Sequence, residues 1–121
     1  VGNLSKAKRL YCEVLGGTLI HEEQIADRKQ SAFVAIGEDT VVELSEPLSM
    51  NSPEGQDLEK NGEGVYSLIF KTKDLSRAQD FLKSKQHQPQ ADGADTIILG
   101  ADQAFGMLVG FTQRTFANDP R

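Results

Sequence analysis

The sequence predicts an α+β fold made of two copies of one βαβββ module, with the first strand of module one missing from the chain. Three observations lead there. Two amphipathic helical segments, each opened by a capping residue, are followed by short apolar strands. The two halves match one another at three places in the same order. A polar stretch containing proline and glycine lies between them. The 121 residues suit one compact domain, with module one at 1–46, a connector at 47–63, module two at 64–113 and a tail at 114–121.

The first element runs from Asn3, a good N-cap, to about Leu15, with Leu4, Ala7, Leu10, Tyr11, Val14 and Leu15 on one helical face. Gly16 and Gly17 stop it, because glycine readily takes the left-handed conformation that closes a helix. Strands are expected at Thr18 to about Ala26, Ser31–Ile36 and Thr40–Glu46, joined by turns at Asp27-Arg28-Lys29 and Gly37-Glu38-Asp39. From Glu46 to Glu63 no periodicity is evident. Val65–Lys71 then reads as a strongly apolar, central strand. Asp74 caps a second helix whose inner face is Leu75, Ala78, Phe81 and Leu82. Thr96–Leu99 and Gly106–Gln113 are the remaining strong strands, and Gln88–Ala91 is a weaker edge.

The repeat aligns Asn3-Leu4-Ser5-Lys6-Ala7 with Asp74-Leu75-Ser76-Arg77-Ala78. It aligns Val34-Ala35-Ile36-Gly37-Glu38-Asp39 with Ile97-Ile98-Leu99-Gly100-Ala101-Asp102, and Val42-Glu43-Leu44-Ser45 with Val109-Gly110-Phe111-Thr112. In the second half Val65–Lys71 precedes the helix, whereas only Val1 and Gly2 precede the helix of the first half. A sheet lacking that strand would expose unpaired backbone and an apolar flank. The expectation is truncation at the N-terminus or a strand supplied by a partner chain.

Composition narrows the function classes. Hydrophobic residues make up 38% of the chain and charged residues 26%, with a net charge of −5. That balance suits a folded domain, and without a Lys/Arg cluster no nucleic-acid partner is expected. No apolar run approaches the ~20 residues of a membrane helix and no basic-then-apolar leader opens the chain, so no membrane partner is expected and the cytoplasm is the expected location. The single cysteine, Cys12, excludes an internal disulfide framework and a cysteine-based zinc site. It is expected to be small and half-buried at the edge of its helix. Nothing in the sequence has the form of a nucleophile–base pair, a P-loop or a dinucleotide turn.

The ordered motifs resemble the vicinal oxygen chelate superfamily, which includes glyoxalase I, bleomycin-resistance proteins, extradiol dioxygenases and methylmalonyl-CoA epimerase. Asn3–Ala7 with Tyr11-Cys12-Glu13-Val14-Leu15-Gly16-Gly17 is similar to its D-L-x-x-A…F-Y-x-x-V-L-G-G helix. Thr40–Pro47 resembles its I-E-L-x-E-P strand, Gly62–Phe70 its G-x-G-x-H-H-I-A-F strand with Lys73-Asp74-Leu75 as the following x-D-L, and Gly106–Phe111 its G-V-L-I-E-L strand. The resemblance implies two modules curving their sheets around a shared cup. In the family's enzymes that cup holds one divalent metal on His, Gln or Glu side chains. Carried over by position, one ligand would precede Val1, the second is Glu43, the third position holds Ser67 and the fourth holds Gly110. Glycine brings no donor and a serine hydroxyl is a poor substitute for imidazole, so no metal cofactor is expected.

Strand alternation places Val41, Glu43 and Ser45 on one face, Val65, Ser67 and Ile69 on another, and Leu108, Gly110 and Thr112 on a third. Under the resemblance these line a cup that is apolar apart from one carboxylate and enlarged where Ser67 and Gly110 replace bulky donors. Glu43 is then a ligand-orienting acceptor or a base whose pKa burial raises. Alternatively it is a strand carboxylate that is solvated or salt-bridged, with Arg28 or Arg114 as candidate partners. His21 and Glu23, two apart on a strand, could begin a displaced metal site or form a surface pair. His87 is expected to face solvent, and Tyr66 to face the second helix as core.

The expected function is binding of a small organic molecule, for sequestration or sensing, by Glu43, Ser67, Gly110, Val41, Leu108 and His21. The rivals are a metal-dependent lyase, epimerase or dioxygenase with a relocated site, and a non-catalytic interaction module. A homodimer is expected from the resemblance and from the exposed flank.

Overall fold

The computed structural model describes residues 1–100, 102–104 and 106–121, so Ala101, which the repeat alignment includes, lies outside the described residues. The chain divides into two compact units, residues 1–64 with 116–121, and residues 65–115. In the first unit, α1 (Leu4–Arg9) is followed by a π-helical turn at Leu10–Val14 and then by β1 (Thr18–Ile25), β2 (Lys29–Ile36) and β3 (Thr40–Pro47). These strands form one antiparallel sheet in the order β1-β2-β3. A further helix, α2 (Pro53–Asn61), follows β3.

The second unit holds β4 (Ser67–Lys71), α3 (Leu75–Ser84), β5 (Gln90–Ala91), β6 (Thr96–Leu99) and β7 (Leu108–Thr112). Its sheet runs β4-β7-β6-β5, with β4 and β7 parallel and the other pairs antiparallel. The first unit's sheet has three strands where the second has four. Beside β3, in the place β4 takes beside β7, the backbone N of Val1 donates to the Ser45 carbonyl at 2.7 Å.

Both units bury one sheet face against a helix. In the first, Leu4, Ala32, Val34 and Leu44 form the core, with Ala7, Tyr11 and Cys12 packed against it. In the second, Leu82, Ile97 and Leu99 do so, with Leu75, Ala78 and Phe111. The caps are those expected: Asn3 Oδ1 accepts from Lys6 N, and Asp74 Oδ1 from Arg77 N. Strand register moves the middle of the repeat by two residues. Ala32 lies opposite Leu44, and Ile97 opposite Phe111, so Ala32 corresponds to Ile97 and Val34 to Leu99. A two-residue slip keeps every side chain on its face, which is why the motif match looked sound.

Several expectations are corrected. The π-turn, closed by Leu15 N to Leu10 O, holds more residues per turn than an α-helix. It carries Leu10, Val14 and Leu15 away from the core, all three exposed. Gly16, at φ +75°, ends the segment as predicted. The connector is not irregular: Ser52 caps α2 through Gly55 N, Pro53 sits at its start and Gly62 at its end. β4 is an edge strand, not a central one, with Leu68, Ile69 and Phe70 exposed. Phe81 is exposed on α3, Tyr66 is half-buried outside the core clusters, and His87 is half-buried. The terminal residues are not a loose tail: Phe116 packs on Ile20, Phe33 and Ala35, and Arg121 Nη1 donates to the Thr40 carbonyl at 2.9 Å.

Candidate functional site

The face of the first sheet opposite α1 carries the polar groups. Strand pairing sets His21, Phe33 and Glu43 in one row, and Glu23, Ser31 and Ser45 in the next. Beyond these lie Ile25, Lys29 and Pro47. A bulge between Leu19 and His21 lets both Ile20 and His21 reach this face: Ile20 is buried with Phe33 and Ala35. The His21 ring lies 5.7 Å from the Phe33 ring and 5.6 Å from that of Phe116. Val41 pairs with Ala35 at the far end, its side chain exposed.

Glu43 is the centre of a dense network. Its Oε1 accepts from Lys29 Nζ at 2.8 Å, Ser31 Oγ at 2.8 Å and Ser45 Oγ at 2.9 Å. Among the described residues no donor reaches Oε2, which leaves one carboxylate oxygen as a pre-oriented acceptor. Desolvation pushes the Glu43 pKa up, but the Lys29 charge and the three donated hydrogen bonds outweigh it and hold the carboxyl below its usual value. The expectation of a base with a raised pKa is therefore corrected, and so is the expected pairing with Arg28 or Arg114.

Arg28 instead grips Glu54 at the start of α2 through both Nε and Nη2, and Lys29 Nζ lies 4.0 Å from the same carboxylate. The Glu54 side chain is only 5% exposed. Burial raises its pKa, but the Arg28 hydrogen bonds, its own backbone N–H and the charges of Arg28 and Lys29 bring it below the usual value. The network holds two cations and two carboxylates and is formally neutral. Sequence reasoning missed Lys29, Ser31 and Glu54. Hairpin register could have found the serines, because the Gly37-Glu38-Asp39 turn sets Ser31 opposite Ser45.

His21 and Glu23 do meet, with Nε2 to Oε2 at 3.6 Å. In the second unit Ser67 pairs with Leu108, and Gly110 lies opposite Ile69 and Ile98. No hollow opens at Gly110, contrary to the expected enlargement. A Cβ there would lie 2.6 Å from the Ile97 carbonyl oxygen, 2.8 Å from Ile69 Cδ1 and 3.0 Å from Ile98 Cγ2. These positions do not fit the family's divalent metal. Glu43 already faces an ammonium, Ser67 offers a hydroxyl, and Gly110 has neither a donor nor room for one.

The description Glyoxalase/Bleomycin resistance protein/Dioxygenase superfamily matches the chain over residues 1–107. The chain belongs to this superfamily. The chain is similar to the uncharacterized protein YqjC of Bacillus subtilis (strain 168), 32% identical over 118 residues, covering 90% of this chain and 83% of that one. The fold is shared with methylmalonyl-CoA epimerase from Mycobacterium tuberculosis, at TM-score 0.83 and 26% identity over 93% of this chain and 81% of that one. It is shared too with a hypothetical protein from Bacillus halodurans C-125, at TM-score 0.82 and 27% identity over 95% and 88% of the two chains. Among the described residues of this superfamily member, no helix is long and apolar enough to cross a membrane.

Proposed function

We propose that this protein binds a small organic ligand without a divalent metal, using the Glu43 face of the first sheet. The observation that carries the reading is the clamping of Glu43 Oε1 by Lys29, Ser31 and Ser45, which leaves Oε2 as a fixed acceptor. Because the Glu43 charge is balanced by Lys29, the complementary ligand group is a neutral donor, a hydroxyl or an amide, and not a cation. Val41 and the His21–Phe33 rings supply apolar and aromatic contact area for the rest of the molecule. The protein acts in the cytoplasm as a homodimer, in sequestration or sensing.

Elemental analysis of protein purified without chelators tests the metal half of this reading. Substoichiometric Zn, Ni, Fe and Mn are expected, and one equivalent of any of them refutes it. A thermal-shift screen of neutral hydroxyl- and amide-bearing compounds tests the ligand half: hits should stabilise the native protein and lose most of that effect in Glu43→Gln.

The His21–Glu23 contact favours a second reading, a metal-dependent lyase, epimerase or dioxygenase of the superfamily with a relocated site. Broadening of the His21 imidazole resonances by substoichiometric Mn²⁺ would support it, and an unperturbed imidazole would remove it.

A further inference from the structure

The second unit contains a cleft of about 800 Å³ that the Glu43 face does not use. It lies where the C-terminal ends of the parallel strands β4 and β7 meet. Lys71 is the last residue of β4 and pairs with Thr112 at the end of β7, and Thr72 N donates to the Thr112 carbonyl at 2.8 Å. Lys71 and Lys73 line the cleft from one strand end, Gln113 and Arg114 from the other, and Asp95 is the one carboxylate among the lining residues. Asp95 also ties the cleft together through its backbone, its carbonyl accepting from Gln113 N and from Thr112 Oγ1, both at 3.0 Å.

The lining is rich in donors. Lys71 and Lys73 are exposed, and among the described residues neither makes an ion pair, unlike Lys8 and Lys29 of the first unit. Gln113 Oε1 accepts from Leu75 N at 3.1 Å, which fixes the amide orientation and leaves its NH₂ as a donor at the cleft. Thr115 adds a hydroxyl. The start of α3 is not itself the attraction, since Asp74 and Gln113 already satisfy Arg77 N and Leu75 N. Charge is also distributed unevenly. The second unit carries six Lys/Arg against five Asp/Glu, whereas the first carries seven against thirteen. Two lysines lining one cleft without a paired carboxylate give it a positive potential that favours an anion.

We propose that this cleft binds the phosphate group of a small organic molecule, held by Lys71, Lys73 and the Gln113 amide. A dianion with three acceptor oxygens matches two ammonium groups and an amide donor better than a single carboxylate does. The cleft volume leaves room for an organic body, because ligand sites typically span about 300–1,000 Å³. The site is independent of the reading given to Glu43.

The test is an NMR titration of the full chain with inorganic phosphate, a nucleoside monophosphate and the parent nucleoside. Both phosphates should shift the amides of residues 71–73 and 113–115, and the nucleoside should not. Equal saturation by inorganic phosphate shows that the anion suffices, and tighter binding of the ester shows that the organic body contributes; each supports the proposal. The double variant K71E/K73E should weaken phosphate binding about tenfold or more. K83E, an exposed change on α3 away from the cleft lining, should leave it unaltered. K71Q/K73Q reads the same loss should the double reversal fail to fold. Absence of shifts in those two segments, equal binding of the nucleoside, or unchanged affinity in the lysine variants overturns the proposal.

Discussion

Glu43 and Gly110 occupy equivalent places in the two units. Each sits on the strand following a hairpin, opposite a residue of its neighbour: Phe33 in one case, Ile98 in the other. In the first unit the position carries a carboxylate held by a lysine and two serines. In the second it carries no side chain, and Ile69 and Ile98 fill the space. The neighbouring strand explains much of the difference. β4 flanks β7 and presses Ile69 over Gly110. Beside Glu43, β2 instead brings Lys29, whose ammonium pairs with the carboxylate. One duplicated scaffold thus yields a charge-balanced polar face and an aliphatic one. The hydroxyl pairs that remain, Ser31–Ser45 at 3.1 Å and Thr96–Thr112 at 2.8 Å, mark the shared plan.

The largest expected effect tests the filled position. Gly110→Ala should destabilise the protein by about 2–4 kcal/mol in urea unfolding, because the new methyl meets a backbone oxygen that cannot rotate away. A neutral result would mean the second unit has slack, and the contrast with Glu43 would weaken. Next comes Glu54→Ala. Breaking a buried pair costs about 3–5 kcal/mol, and the partial exposure of Arg28 reduces the expectation to about 2–3 kcal/mol. A loss below 0.5 kcal/mol would detach α2 from the polar network (about one surface pair's worth).

The smallest effect concerns Glu43 itself. Glu43→Gln should cost about 1 kcal/mol near neutral pH, since the side chain is partly exposed and its ion pair is screened. The change should show more clearly in acid. Both Glu43 and Glu54 have folded-state pKa values below the ordinary 4.5. Their contribution is therefore complete above pH 4.5 and is lost as pH falls through the lowered values. Unfolding free energies measured from pH 6 to about pH 2 should fall less steeply in the Gln variants. Equal slopes would show that neither carboxylate is held ionised by its partners.

Much of the scaffold was legible because it rests on local signals. Asn3 and Asp74 cap their helices whatever surrounds them, and the glycine turns allow few alternatives. Apolar runs between turn residues marked the main strands, with β5 only a weaker candidate, but not their places in the sheet. The central placement expected of β4 failed for that reason: β4 lies at the edge of its sheet, with Leu68, Ile69 and Phe70 exposed. The helix α2 escaped notice because its polar composition hides its period, although Ser52, Pro53 and Gly62 mark both its ends. At the site, Glu43 was found from its strand motif. Its partners were not, because an ion pair between Lys29 and Glu43 follows from the register of two strands and not from their spacing in sequence.

Taken alone, the amino-acid sequence determined the order of the main strands and of the first and last helices, the caps and the position of the carboxylate, all of which depend on residues close together in the chain. Only the tertiary structure decided which cation answers Glu43, that Glu54 is buried beneath Arg28, and that Gly110 is a packed contact instead of a hollow. These depend on which side chains from distant segments reach the same few ångströms, and short-range pattern carries no information about that distance.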